Sequence, residues 1–459
     1  MGADEPTTGR RAVLSAFGSG GLLALVGRPT AAQTTRGGDG ALERLEDGLE
    51  ETDEPETIVS GLERVERLFQ YQLDQGLHHG AQLAVYRGEE LVVDLAGGIT
   101  ATEDGDDDLP TDEANPDGST EQSSVGGRNS MGFDNVETEP DSRFVLFSNT
   151  KPLAAACVHV LADEGALEFD DPIVDHWPEF ADEDSEKALV TVRHVLTHQS
   201  GLPETPVDWE YEVWTDPDAL AAGVEEADLE FSPGEETSYQ FYSFGWIVGE
   251  LVRQVTGERI DEFAREHVFE PLGMDRTHIG RPDDEDVDVA TLVGFEPYDR
   301  VGEPGLMAGY TTAEAAETYN REDVQEGINP AWTGIGPARE LARFYACYLN
   351  GGKFDGTRLL SEDTVAEAIA LHVEEPPTGG VGTASRYGLG FQRGGALPDR
   401  RGVPSPAGTF GHGGLGSSMT WAEPETDLAF AFVCNGIRDG YEHDARIASL
   451  SETVRSGLA

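Results

Sequence analysis

The sequence predicts an α+β fold, in which both ends of the chain contribute to one antiparallel sheet flanked by helices. Near the amino end, "AQLAVYRGEELVVDLAGG" predicts two short strands with a turn at Arg87-Gly88. Near the carboxyl end, "YGLGFQRGG" and "TFGHGGLGSSMTWAEPETDLAFAFVCNG" return to strand-like patterns. Between them, residues 152–380 or so alternate helical segments with loops, which predicts a mainly helical subdomain.

The composition sets limits on partners and on habitat. The chain has 459 residues, 38% of them hydrophobic, enough for one large domain or two smaller ones with a proper core. Its 88 acidic and 31 basic residues give a net charge of −57, which repels nucleic acid and anionic membranes. We expect neither as a partner. The acidic, lysine-poor composition resembles that of halophile proteins, so we expect the protein to lose stability at low ionic strength.

The amino terminus has the pattern of an export signal. Arg10-Arg11 precede an apolar run over residues 12–26, which is short for a membrane span but suits a signal sequence. The arginine pair and its neighbours resemble a twin-arginine signal, so we expect residues 1–33 to direct export. The alternative is a fortuitous basic, apolar start on a cytoplasmic protein. No other stretch is apolar enough to cross a bilayer, so we expect no stable span in the mature protein.

Two acidic segments interrupt the patterned sequence. Residues 34–57 predict a linker, after which "VSGLERVERLFQYQLDQGL" repeats apolar residues at helical spacing and opens a main domain over 58–459. Residues 102–142 are acidic, rich in Gly, Ser and Pro, and nearly free of large apolar side chains. Such a segment cannot repay its own ordering entropy, which predicts a disordered surface insertion.

A serine and a lysine three residues apart form the first candidate site. In "RFVLFSNTKPLAAACVHVLADEGAL", a helix that begins at Ser148 would place Ser148 and Lys151 on one face, with Pro152 in the first turn. The positive helix terminus and burial would both lower the lysine pKa, producing a neutral amine that can take the serine proton. The alternative is an exposed pair on a helix surface. Lysine is scarce elsewhere in the chain, which favours a function.

A tyrosine near that lysine could relay a proton. In "FSPGEETSYQFYSFGWIVGELVRQ", Pro233-Gly234 predict a turn and residues 244–253 an amphipathic helix. Tyr239 and Tyr242 would lie just before this helix, and a phenol beside a cationic lysine can carry a lowered pKa. The alternative for either residue is simple packing under the helix.

A glycine-rich strand supplies the third candidate. In "TFGHGGLG", His412 is followed by Gly413-Gly414. Glycines let a strand backbone approach a substrate closely, so that amide N–H groups can point at a developing oxyanion. His412 would then polarise the substrate or hydrogen-bond to it. The alternative is a glycine-rich strand edge with a surface histidine.

The sequence predicts neither a metal nor a cofactor. His194 and His198 have the spacing of a zinc helix, but Val195 stands where the H-E-x-x-H motif requires glutamate. We therefore expect His198 to be a structural hydrogen bonder at a helix end. Three distant cysteines suggest buried free thiols rather than a metal site: Cys157, Cys347 and Cys434.

These three elements, in this order, resemble the serine β-lactamase and penicillin-recognising superfamily. The resemblance is strongest to class C β-lactamase-like serine hydrolases and family VIII carboxylesterases, and covers about residues 62–435. Further collinear segments include "LEFDDPIVDHWPEF", "VRHVLTHQSGLP" and "FEPLGMDRTHIG".

The resemblance implies a role for each candidate residue. Ser148 would be the acylated nucleophile and Lys151 its proton acceptor. The family's second motif has a tyrosine six residues after the proline of the turn, which here is Tyr239, with Tyr242 held in reserve. The oxyanion would lie between the backbone N–H groups of Ser148 and Leu415. No cofactor is needed for such chemistry.

Two departures from the lactamase pattern bear on the substrate. Phe241 occupies the position of a family asparagine, and His412-Gly413-Gly414 replaces the K-T-G strand motif. Both changes remove groups that recognise β-lactams, so we expect a serine hydrolase that cleaves a small ester. A β-lactamase or D-amino-acid peptidase acting on an amide is the alternative within enzymes, and a catalytically silent binding module is the alternative outside them.

Overall fold

The computed structural model of the chain describes residues 60–102, 135–282, 287–295, 311–375, 385–395, 405–438 and 440–458. The predicted signal (1–33) and linker (34–57) lie outside these residues and stay predictions, as does the part of the insertion over 103–134.

Sixteen strands are found in the described residues: β1 Gly80–Arg87, β2 Glu90–Thr102, β3 Asn135–Glu137, β4 Phe144–Val145, β5 His278–Ile279, β6 Val293–Gly294, β7 Gly334–Gly336, β8 Lys353–Phe354, β9 Thr357–Arg358, β10 Val373–Glu375, β11 Ser385–Tyr387, β12 Gln392–Arg393, β13 Phe410–Gly414, β14 Ser418–Glu423, β15 Leu428–Cys434 and β16 Gly436–Ile437. Eleven α-helices accompany them there: α1 Gly61–Asp74, α2 Thr150–Asp163, α3 Val192–Leu196, α4 Pro217–Glu226, α5 Ser243–Thr256, α6 Ile260–Ala264, α7 Thr312–Asn320, α8 Glu322–Glu326, α9 Ala338–Leu349, α10 Glu362–Ile369 and α11 Gly440–Leu458.

Strands from both ends of the chain form one antiparallel sheet, as the sequence predicts. Its nine strands follow the order β10-β11-β12-β13-β14-β15-β1-β2-β3. The amino-terminal strand β1 pairs with β15 through a continuous register from Ala81 opposite Cys434 to Arg87 opposite Leu428. Because β13 pairs with both β12 and β14, the glycine-rich strand is an interior strand of this sheet.

One edge of the sheet is formed by residues that the sequence predicts to be disordered. The prediction of a disordered insertion over 102–142 is wrong for residues 135–142, because β3 pairs with the end of β2. The Gln82 side chain also donates to the carbonyl oxygens of Glu139 and Ser142, at 2.6 and 3.0 Å. A polar segment can therefore be ordered by backbone pairing with an open strand edge, which its lack of apolar side chains does not reveal.

Helices cover both faces of the sheet. On one face, Val65 and Phe69 of α1 and Leu450 and Val454 of α11 pack with Phe432 of β15 in a fully buried cluster. A capping box between Ser60 and Glu63 fixes the start of α1. On the other face, α9 packs against β1, β14 and β15.

Helices α2 to α10 lie in sequence between the amino-terminal and carboxyl-terminal strands, as expected for a mainly helical middle part. Helix α2 is buried along almost its whole length, so its surroundings rather than an amphipathic pattern decide its position. All three cysteines are buried and free, as predicted. Among the described residues, we find no helix with both the length and the apolar character that a membrane span requires.

Candidate active site

The candidate nucleophile lies in a tight turn at the start of α2. The α-helix begins at Thr150, and Phe147–Asn149 form a 3₁₀ turn before it. Ser148 therefore precedes the helix, whereas the sequence predicted that the helix begins at Ser148. Phe147 has φ of +49°, a conformation that non-glycine residues keep only where the surroundings enforce it. Thr150 Oγ1 enforces it here, donating to the Phe147 carbonyl at 2.6 Å and accepting from the Gly334 N–H at 2.9 Å.

Lys151 is fully buried beneath Ser148. Its Nζ lies 3.4 Å from Ser148 Oγ. It also donates to two backbone carbonyl oxygens, those of Phe241 at 2.9 Å and Ala331 at 3.2 Å. The lysine therefore joins α2, the segment before α5 and the segment before β7.

The environment favours the neutral form of this lysine. Burial lowers the pKa of Lys151 well below its ordinary value, and the negative charge of Asp208 only partly opposes this. Asp208 is itself buried, which raises its pKa to about 7. A neutral amine has two N–H groups and one lone pair. Since two carbonyls take the N–H groups, the lone pair is left for the Ser148 hydroxyl.

Tyr239 lies beside this lysine. The centre of its ring is 4.8 Å from Lys151 Nζ, and 6.2 Å from the centre of the His412 ring. The structure thus brings together the tyrosine that the family register indicates, the lysine and the histidine.

Tyr242, the reserve candidate, occupies a different place. It is fully buried at the start of α5, and its hydroxyl makes a short hydrogen bond with the hydroxyl of Tyr319. Burial and the neighbouring tyrosines raise its pKa well above the ordinary value. Its ring packs against Trp214 and Trp332. Tyr242 is a core residue under the helix, which was the alternative for both tyrosines.

His198 is the structural hydrogen bonder that the sequence predicts. It follows α3 with φ of +62°, a conformation that turns its carbonyl and its ring toward the same segment. The carbonyl accepts from the Ser238 N–H at 2.9 Å, and Nδ1 accepts from the Gln240 N–H at 3.2 Å. Both neighbours of Tyr239 are therefore fixed by one histidine, whose ring also lies 4.6 Å from the Tyr239 ring, centre to centre.

The glycine-rich strand β13 brings the third candidate to the same place. His412 is only 2% exposed, and its Nδ1 donates to the Gly413 carbonyl at 2.8 Å, so it is not the surface histidine of the alternative reading. A side chain at Gly414 would collide with the Leu146 carbonyl oxygen just before the nucleophile turn. Leu415 follows directly after the strand. The glycines thus permit the close approach between β13 and the turn before Ser148, as the sequence predicts for a glycine-rich strand.

Several contacts at the site were missed by sequence reasoning. Phe241 was singled out for its side chain, but Phe241 and Ala331 both hold Lys151 through backbone carbonyls, which no residue type reveals. The Phe241 ring packs on Trp332, with centres 4.4 Å apart, and stacks on Trp209 at 6.3 Å. Asp208, which also went unnoticed, accepts from Trp246 Nε1 at 3.0 Å. The tryptophan residues were the one available signal, because large aromatic side chains in loops often line sites.

One group of potential metal ligands occurs in the described part of the chain, away from these residues in sequence. Glu258, Glu266 and His267 offer ligand atoms within 4.8 Å of one another. The two glutamates are solvent-exposed, and the His267 ring stacks on Phe263. An exposed acidic cluster of this kind is common without a metal.

Comparison with known proteins identifies the chain as a serine hydrolase. The family model for Beta-lactamase matches residues 65–452, so the chain belongs to the β-lactamase family. It is 32% identical to "Esterase/beta-lactamase LipL" of Mycobacterium tuberculosis, over 65% of this chain and 71% of the relative.

Two solved structures extend this similarity to the fold. A family VIII carboxylesterase superposes with a TM-score of 0.68 at 26% identity, covering 87% of this chain and 98% of that one. A penicillin-binding protein homolog from Caulobacter crescentus gives a TM-score of 0.67 at 28% identity, with the same coverage. Relatives of both esterase and penicillin-recognising kinds therefore share the β-lactamase fold that the sequence predicts.

Proposed function

We propose that the protein cleaves a small ester through an acyl-serine intermediate. The observation that carries this proposal is the Lys151 amine, which is buried, lowered in pKa and 3.4 Å from Ser148 Oγ. In the neutral amine, both N–H groups donate to backbone carbonyls, so the lone pair faces the Ser148 hydroxyl. A serine hydroxyl becomes a useful nucleophile only when such a base can take its proton.

Acylation follows from this arrangement. Ser148 Oγ attacks the ester carbonyl carbon as its proton moves to Lys151 Nζ. The carbonyl oxygen becomes an oxyanion, which the backbone N–H groups of Ser148 and Leu415 stabilise. The bond to the leaving alcohol then breaks, and the Tyr239 hydroxyl gives a proton to the departing oxygen and regains one from Lys151.

Deacylation uses the same groups in the reverse order. Water attacks the acyl-serine carbonyl, giving up a proton to the Tyr239 and Lys151 pair, and Ser148 leaves as the hydroxyl. His412 lies beside Tyr239 and has the position of the K-T-G lysine, so we assign it to hydrogen bonding at the substrate end of the site. No step calls for a metal or a cofactor.

The choice of an ester rests on two positions. Phe241, where lactamases have asparagine, presents a ring packed on Trp332 and Trp209 instead of an amide. His412 replaces a permanently charged lysine. Both substitutions weaken recognition of an amide and a carboxylate, and similar proteins carry the names esterase and carboxylesterase. Because penicillin-binding relatives share the fold, a β-lactamase or a D-amino-acid peptidase is the second candidate.

One set of assays separates these candidates from each other and from a catalytically silent binding module. The purified protein is incubated in high salt with a fluorophosphonate probe, p-nitrophenyl acetate, a chromogenic cephalosporin and a peptide ending in D-alanyl-D-alanine. Labelling with ester turnover alone supports the proposal. Turnover of the cephalosporin or the peptide with a higher kcat/KM than the ester contradicts it. A folded protein that is not labelled is a binding module. Ser148→Ala is the control for background hydrolysis.

We also propose that the protein is exported, on the support of the twin-arginine pattern at Arg10-Arg11. Replacing both arginines with lysine should retain the protein in the cytoplasm, measured by cell fractionation. Unchanged distribution of the variant would contradict export by this route.

A further inference from the structure

Asn149, the residue directly after Ser148, is turned away from its own helix. It is the N-cap of α2 and is 2% exposed, yet its side chain makes no capping hydrogen bond. Asparagine at this position ordinarily accepts from an N–H of the first helical turn. The side chain of Asn149 instead crosses to the hairpin of β13 and β14, some 270 residues away in sequence.

The amide of Asn149 contacts both strands of that hairpin. Its partners assign the nitrogen to the side of Thr420 Oγ1, at 2.6 Å, and the His412 carbonyl oxygen, at 2.8 Å. The amide oxygen then accepts from Ser418 Oγ at 2.9 Å and from the Gly414 N–H at 3.3 Å. One buried amide thus binds the backbone of β13 on both sides of Gly413.

The same strand end also rests directly on the nucleophile turn. Gly414 leaves no room for a Cβ against the Leu146 carbonyl oxygen and Ser418 Oγ, and Ser418 Oγ lies 3.1 Å from that same Leu146 oxygen. The turn that carries Ser148 and the strand that leads to Leu415 are therefore tightly packed against each other. Packed interfaces of this kind take up one arrangement rather than a continuous range.

We propose that Asn149 is a positioning residue that sets the separation of the two oxyanion donors, the N–H groups of Ser148 and Leu415. Ser148 lies one residue before Asn149, and Leu415 lies one residue after Gly414, which Asn149 binds. This inference rests on the proposed acyl-transfer function. A shift of the strand relative to the turn weakens the hydrogen bonds to the oxyanion, and these are made fully only in the transition state.

The effect of Asn149 on catalysis can be separated from its effect on folding. If it positions the donors, Asn149→Ala should lower kcat for p-nitrophenyl acetate about 10- to 100-fold with KM changed less than about twofold. The inhibition constant of a boronic acid, which forms a tetrahedral adduct on Ser148, should rise by a similar factor. Both values are measured per folded molecule, with the folded fraction taken from circular dichroism.

Asn435 provides a matched control. It is also a fully buried asparagine that joins backbone segments, since it accepts from the Gly80 N–H at 2.7 Å and donates to the Ile99 carbonyl at 3.1 Å. Asn435→Ala should lower Tm but leave kcat and boronate inhibition of the folded molecules unchanged. An Asn149→Ala variant that behaves in the same way would overturn the proposal and make Asn149 purely structural.

Two further measurements keep the test decisive. If Asn149→Ala does not fold, Thr420→Val removes one partner of the amide and should lower kcat a few-fold, with recovery in Thr420→Ser. Equal kcat in the wild-type protein, Thr420→Val and Thr420→Ser overturns the proposal.

The rate of fluorophosphonate labelling needs no ester turnover. Labelling without ester hydrolysis rejects only the ester assignment, and the ratio of labelling rates between the wild-type protein and Asn149→Ala still decides the role of Asn149. Absence of labelling in the wild-type protein overturns both proposals.

Discussion

Two buried lysines in this acidic chain are held in nearly the same way and have different chemistry. Lys151 and Lys187 are both removed from solvent, and both donate to backbone carbonyl oxygens. Lys187 closes the carboxyl end of α4, where its three acceptors are the carbonyls of Val224 at 2.6 Å, Glu225 at 2.9 Å and Ala227 at 2.8 Å. Lys151 has two carbonyl acceptors and the Ser148 hydroxyl.

The number of carbonyls decides what each lysine can do. Three acceptors match the three N–H groups of an ammonium ion. Burial lowers the pKa of Lys187 only to about 8, because the charges of Asp228 and Glu225 oppose it, so this side chain is mostly charged at neutral pH. Lys151 has one carbonyl fewer, and its complete burial lowers its pKa well below the ordinary value, which favours the neutral amine. Burial thus shifts the pKa of each lysine, and the number of fixed acceptors determines whether a neutral amine would have its lone pair directed at a hydroxyl.

The largest expected effect comes from removing the free lone pair. Lys151→Met keeps the length of the side chain and should lower kcat for ester hydrolysis by about 10⁴-fold, the upper end of the range for loss of a general base. The measurement is steady-state turnover together with fluorophosphonate labelling. Lys151→Arg keeps a positive charge that cannot be removed at working pH, and should be equally inactive. Activity in the arginine variant would show that charge, not proton acceptance, is the contribution of this residue.

The two tyrosines extend the comparison to the phenols. Tyr239→Phe removes the hydroxyl of the ring that lies beside Lys151 and should lower kcat by about 10²-fold, the lower end of the same range, because we propose that the phenol protonates the leaving group. Tyr242→Phe removes only a hydrogen bond to Tyr319 in the core, so kcat should change less than threefold or so while stability falls by about 1 kcal/mol. Equal losses of turnover in the two variants would overturn the assignment of the relay to Tyr239 rather than Tyr242.

The pH dependence gives a smaller effect with a definite sign. Only the deprotonated amine accepts a proton, so kcat/KM should rise about tenfold per pH unit up to the lowered pKa of Lys151 and level off above it, well below the range of an ordinary lysine. The Asp208 carboxylate opposes the lowering of that pKa, but its own pKa is about 7, so it is ionised only above about pH 7. Asp208→Asn should therefore move the part of the limb above that pH to lower pH and leave the part below it unchanged. Asp228→Asn is the matched control, because Asp228 acts on Lys187 and should leave the limb in place. A rate still rising tenfold per unit at pH 9 would show an ordinary lysine.

Side-chain patterns predicted those parts of the molecule that depend on residue type. The alternation of apolar residues predicted β1 and β2, the apolar periodicity predicted α1, and the glycines after His412 predicted a strand that must approach another segment. The spacing of Ser148 and Lys151 predicted that they meet, although the helix begins two residues later than expected.

The rest depends on backbone groups brought together from distant segments. The Ala331 carbonyl is 180 residues from Lys151, and alanine carries no sign that its oxygen will hold a lysine. The edge strand β3 forms by backbone pairing of polar residues, so composition predicted disorder where the structure has order. For the same reason the lysines can be identified in the sequence, but the backbone carbonyl oxygens around each of them cannot. The number of these carbonyls is what distinguishes Lys151 from Lys187.

The smallest effect on turnover is expected at Lys187, and it tests the comparison most strictly. Lys187→Met removes the shared donor of three carbonyl oxygens at the end of α4, in a place where water has little access. The Val224 carbonyl keeps the Ala227 N–H at 3.2 Å, so the loss falls mainly on the carbonyls of Glu225 and Ala227. Unpaired buried acceptors are costly, so the free energy of unfolding should fall by about 2–4 kcal/mol, measured by denaturant titration in high salt. Turnover of the folded fraction should change less than about twofold, because this ammonium ion only closes a helix. A large loss of kcat with unchanged stability would mean that Lys187 contributes to the same site as Lys151. The number of carbonyl acceptors would then not distinguish a structural lysine from a base.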